Sequence, residues 1–65
     1  MARTTFGVFN SNSVRVSRDG YNAEPVAAEE SRHASFDDAY DAALVAGGDR
    51  WVISTSGTSE YVPVG

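Results

Sequence analysis

The residues of this chain that could do chemistry are carboxylates. Asp37, Asp38 and Asp41 lie within little more than one helical turn of each other, and Glu24, Glu29 and Glu30 precede them. Paired carboxylates can transfer protons or hold hard cations. Acid–base work, however, needs a pocket that moves one pKa, and calcium sites use loop carbonyls that a helix surface lacks. We therefore expect no enzyme activity, no metal and no cofactor. His33 is the sole histidine, with neither a second ligand nor an identifiable nucleophile, and reads as a surface or half-buried loop residue. The chain contains no Cys and no Lys, which removes thiolate chemistry, disulfides and the lysine of a phosphate-binding loop. The Ser/Thr-rich run Ser54 to Ser59 resembles such a loop in composition only and reads as a hairpin turn. A nucleophile elbow and a Rossmann glycine fingerprint are also absent.

Those acids need an element to position them, and Ser35 to Gly48 is the one stretch with both a start and a stop signal for a helix. Ser35 can cap the first turn, Asp38 completes a capping-box pattern, and Gly47 and Gly48 end the segment. Phe36, Ala39, Tyr40, Ala43 and Leu44 recur at helical spacing as an apolar stripe, with Asp37, Asp38 and Asp41 on the other side. The helix dipole favours Asp37 and Asp38 in the first turn, whereas Asp41 sits at like-charge spacing from both and costs a few tenths of a kcal/mol.

The remaining segments read as strand and turn. Thr4 to Phe9 and Val14 to Arg18 flank Asn10-Ser11-Asn12, which predicts a hairpin with Val8 opposite Val14 and Phe6 opposite Val16. Asn12 would take the left-handed turn position, Phe9 would lie on the outer face, and Gly7 marks a bulge or a close approach. Asp19-Gly20 ends the second strand. Residues 21–34 leave two readings open: a short edge strand near Tyr21 or Val26, or a helical turn over Ala27 to Arg32. Trp51 to Thr55 and Glu60 to Val62 form a second hairpin around Ser56-Gly57-Thr58, with Pro63 stopping its last strand. The expected fold is α+β, a single domain over residues 1–65, with antiparallel sheet from two β-hairpins packed on one helix in the order ββαββ.

Sixty-five residues bury only about 60% of the unfolded surface, so stability is marginal. The formal charge is −4, unevenly spread: +3 over residues 1–18, −7 over 19–49 and zero over 50–65. That distribution argues against direct nucleic-acid binding, which needs a basic footprint, and permits steering toward a basic partner; solubility is the simpler use of the same charge. The start MARTTFGVFN lacks a signal-peptide core, and no apolar run reaches the roughly 20 residues that span a bilayer. A soluble, cytoplasmic monomer without membrane contact is expected.

In its size, its lack of Cys and Lys, its ββαββ reading and its acids Glu24, Glu29, Glu30, Asp37, Asp38 and Asp41, the chain resembles the small acidic phage-type anti-CRISPR proteins, specifically inhibitors of type I-C systems. The resemblance covers the whole chain and rests on no diagnostic motif. It implies a protein of the bacterial host cytoplasm that binds the CRISPR surveillance complex and presents carboxylates where DNA phosphates would lie, at the surface reading the short motif beside the target. On that reading Asp37, Asp38 and Asp41 form the centre of the contact, Glu24, Glu29 and Glu30 extend it, and Arg3, Arg15 and Arg18 must lie on another face. The rival reading is a protein–protein adaptor binding through apolar or strand-edge contacts at Phe9, Tyr21 or near Pro63.

Overall fold

In a computed structural model, residues 3–65 are described. The fold is α+β, with one helix, a four-stranded antiparallel sheet and a separate two-stranded ribbon. The strands are β1 (Phe6–Asn10), β2 (Val14–Val16), β3 (Ala23–Pro25) and β4 (Ser31–His33), then β5 (Arg50–Ser54) and β6 (Ser59–Val62) after helix α1 (Phe36–Val45). The main sheet has the order β4-β1-β5-β6, and β2 pairs with β3 alone.

This corrects the expected ββαββ arrangement. The hairpin of Val8 with Val14 and Phe6 with Val16 does not form. Instead, Val8 lies opposite Ser31 on one side and Val52 on the other, while Val14 pairs with Pro25 and Val16 with Ala23. The physical reason is two-sided burial. Val8 and the adjacent Phe9 point to opposite faces, and both are buried. A strand apolar on both faces belongs in the middle of a sheet. Val16, at 43% exposure, has no such demand. The predicted turn is a 3-10 turn, Ser11–Ser13, started by Asn10 Oδ1 accepting from the Asn12 N–H at 2.9 Å, and it leads the chain off the sheet. Among non-glycine residues of the described chain only Asp49 has positive φ, so Asn12 does not supply a left-handed turn. Residues 21–34 contain β3 and the edge strand β4, with no helical turn over 27–32.

The helix packs on the sheet face formed by Val8, Val52 and Val62, and these with Ala39 and Ala43 make the core. Each fully buried valine contributes about 1.5–3 kcal/mol. Of the apolar stripe, Ala39 and Ala43 are fully buried, since small side chains let the helix approach the sheet, while Phe36 and Leu44 lie at its margins. Phe36 meets Phe6 edge-on and Tyr40 at a tilt, with centroids 6.1 and 5.7 Å apart, closing one end of that layer. Ser35 Oγ accepts from the Asp38 N–H at 3.2 Å. At the other end Gly47 and Gly48, both with positive φ, donate to the carbonyls of Leu44 and Ala43, as in a Schellman cap.

The ribbon covers the opposite face, placing the sheet between two layers. β3 contacts β5, the Ala23 N–H donates to Ser59 Oγ at 3.0 Å, and Phe9, Ala23 and Trp51 are each only 7% exposed. Phe9 is thus the covered outer-face residue and is not left free for a partner. Gly7 marks a close approach: a Cβ there would lie 2.6 Å from Glu29 Oε2 and 2.9 Å from the Phe9 ring. The β5–β6 hairpin forms as expected, and its Ser/Thr run closes on itself through Ser54 Oγ, which bonds Ser56 Oγ at 2.8 Å and Thr58 Oγ1 at 2.7 Å. No helix of the described residues is long and apolar enough to cross a membrane.

Candidate functional site

The six acids singled out by sequence fall into two sets. Asp37, Asp38 and Asp41 are all exposed on α1. Among the described residues none of the three takes part in an ion pair, because the two pairs present join Arg32 to Glu29 and Arg50 to Glu30. The first pair is two-pronged, with Arg32 Nε donating to both Glu29 oxygens at 2.9 and 3.1 Å. Glu29 lies over Gly7, on the ribbon side of the sheet. Glu24 is also on that side, on β3 opposite Arg15. These two do not join the helix carboxylates, from which the sheet separates them.

Glu30 belongs to a structural cluster that sequence reasoning missed. Arg50 Nε donates to Glu30 Oε1 at 2.8 Å, and its terminal nitrogens reach the carbonyls of Gly48 at 2.7 Å and Ala46 at 3.5 Å. A cation thus sits on the free carbonyls at the C-terminal end of α1, where the helix dipole favours it. The usable signal was a basic residue shortly after the terminal glycines.

Two of the three arginines of residues 1–18 fall on the ribbon side. Arg15 belongs to the ribbon and Arg18 follows it in the turn, across the sheet from α1. A depression of about 260 Å³ on the ribbon is lined by Arg15, Val16, Ser17, Asn22 and Glu24, and no helix carboxylate reaches it.

His33 has a partner that its sequence neighbourhood did not suggest: its Nε2 lies 2.8 Å from Ser31 Oγ. The two residues share a sheet face at strand spacing. Among the described residues no carboxylate hydrogen-bonds the His33 ring, so the pair lacks the orienting group of a nucleophilic site. Among the described residues no group of three or more His, Asp or Glu is placed to hold a metal ion.

Two other aspartates have structural partners. The Tyr61 hydroxyl, then Ser11, hold the Asp49 carboxylate below its ordinary pKa, and Tyr61 is raised in return. The Asp19 carboxylate is lowered by the Ser17 hydroxyl and by the Tyr21 N–H, which together tie the turn between β2 and β3. Comparison of the chain with protein-family models, curated proteins and solved structures finds no match.

Proposed function

We propose that this protein is a binding inhibitor whose helix carboxylates Asp37, Asp38 and Asp41 occupy a basic, nucleic-acid-holding surface of another protein. The observation that carries the reading is the exposure of these three acids on one helix, free of ion pairs and across the sheet from Arg15 and Arg18. DNA carries one charge per about 1.7 Å of axis, so a surface built for it is dense in cations that a carboxylate cluster can engage. A short helix capped at both ends holds the cluster ready, which reduces the ordering cost of binding. The resemblance to small anti-CRISPR inhibitors names the partner to try first, the DNA-recognition surface of a type I-C surveillance complex. Glu29 and Glu30, already engaged by arginines, are outside this contact, as is Glu24.

The test is target-DNA binding by the purified surveillance complex, with and without an excess of this protein, at low and high salt. The expected result is loss of DNA binding that salt reverses and that Asp38→Lys with Asp41→Lys abolishes. Inhibition that survives both substitutions would remove the helix acids from the mechanism.

The adaptor reading is favoured by a different observation: Val45, Tyr21 and Val64 are 82%, 77% and 71% exposed. Binding through them would persist at high salt and ignore the charge reversals.

A further inference from the structure

We propose that the free edge of β2 is a docking site for an extended segment of a partner protein, which adds as an antiparallel strand and sets an acidic residue opposite Arg15. The inference does not depend on the helix carboxylates.

The ladder of the ribbon shows which backbone groups are free. The Ser17 N–H donates to the Asn22 carbonyl and the Val26 N–H to the Ser13 carbonyl, both at 2.8 Å. With Arg15 opposite Glu24 in the same register, the hydrogen-bonded pairs are Ser13 with Val26, Arg15 with Glu24 and Ser17 with Asn22. Val14 and Val16 alternate with these and turn their polar groups away from β3. Among the described residues the Val14 carbonyl and both backbone groups of Val16 have no backbone partner.

Two other edges close themselves. On β3 the Ala23 N–H is taken by Ser59 Oγ and Pro25 has no N–H, and β6 runs into Pro63. β2 carries neither device. Because the ribbon rests on the sheet through β3, β2 is its outer strand and remains open to a further one.

The side chains select the occupant. Val16 lies opposite the buried Ala23 and faces the sheet with it, yet is 43% exposed, so an apolar residue on the added strand covers it. Arg15 points the other way, beside the depression of about 260 Å³ that it lines with Ser17, Asn22 and Glu24, and it forms no ion pair among the described residues. The residue set opposite Arg15 makes a non-hydrogen-bonded pair with it, the kind whose side chains are closer, and a carboxylate suits that position. An apolar, acidic, apolar alternation is therefore what this edge takes. A second copy of the chain fits less well, since pairing β2 with itself brings Arg15 and Arg18 of both copies to one seam.

The probe is the blocked peptide acetyl-Thr-Val-Glu-Val-Thr-amide, titrated into the intact isotope-labelled protein and followed by amide NMR shifts. The expected result is a saturable shift that is largest at the Val16 N–H and leaves α1 unmoved. A peptide with Lys in place of Glu should bind about two- to fivefold more weakly, the size of one cross-strand pair, and Arg15→Glu should reverse that preference. A peptide N-methylated at both valines keeps its side chains but loses the donors that reach β2, and should not bind. No saturable shift at Val16, or N-methylated peptide binding as tightly as the parent, would overturn strand addition. Equal binding of the Glu and Lys peptides would overturn the acidic assignment. Val16 shifts that grow with protein concentration in the absence of peptide would place a second copy on the edge and overturn the partner assignment.

Discussion

Tyr61 on β6 donates its hydroxyl to Asp49 Oδ1 at 2.7 Å, while Ser11 Oγ donates to Oδ2 of the same carboxylate at 3.0 Å. Asp49, in the left-handed region with φ 54°, thereby joins the first 3-10 turn to the last strand across most of the chain. The connection needs an ionised carboxylate and a protonated phenol. Asp49 is depressed in the folded state, so its contribution is complete above the ordinary aspartate value of about 3.9 and is lost as pH falls through the folded value. Tyr61 is raised, so its contribution is complete below about 10 and is lost as pH rises through the folded value. Urea unfolding of Tyr61→Phe should therefore differ most from wild type on the plateau near pH 7, and the two should begin to converge near about pH 4 and meet as pH falls through the folded Asp49 value. Parallel curves at all pH values would show that the contact contributes nothing through the ionised carboxylate.

Gly48 sits where its φ is +77° and where a Cβ would run into the Pro63 carbonyl and lie 2.7 Å from Val64 Cα. Neighbouring Gly47 has φ +108° but open space around it. Alanine at Gly47 should cost about 1–2 kcal/mol from backbone strain alone. Alanine at Gly48 should cost about 2–4 kcal/mol, because the obstructing atoms are backbone and cannot turn aside. Thermal melts would check the order, at about 4–8 °C per kcal/mol for a chain of this size. Equal shifts would mean that the C-terminal segment does not pack against the helix end.

Val8 and Val16 separate the observed topology from the simple hairpin. Val8 is 1% exposed between β4 and β5, and Val16 is 43% exposed on the ribbon. Val8→Ala should destabilise by about 2 kcal/mol, and Val16→Ala by no more than about 0.5 kcal/mol. Comparable losses at both positions, measured by denaturant unfolding, would favour the hairpin that pairs Val8 with Val14 and Phe6 with Val16.

Two arginine–glutamate pairs of similar length should behave differently. Arg50 also bonds backbone carbonyls at the helix end and its side chain is 17% exposed, while Arg32 is 56% exposed and reaches only Glu29. Arg50→Gln should cost about 1–2 kcal/mol and reduce the helical far-ultraviolet signal. Arg32→Gln should stay within about 0.5 kcal/mol. A silent Arg50→Gln would show that water caps the helix equally well.

What the sequence by itself determined is what neighbouring residues determine. The Ser35 cap, the Gly47-Gly48 stop and the β5–β6 hairpin each close over only a few residues, so the interactions that make them are written side by side. The exposure of Asp37, Asp38 and Asp41 follows from the same local periodicity, once Ala39 and Ala43 face the core. Strand partners were not legible, because Val8 and Phe9 must be covered on opposite faces and the segments that cover them lie far away in the chain. That two-sided demand put β1 in the middle of the sheet and moved β2 and β3 onto its far face. Only the tertiary structure decided which acids stay unpaired: Glu30 meets Arg50 across 20 positions, a distance no spacing rule reaches.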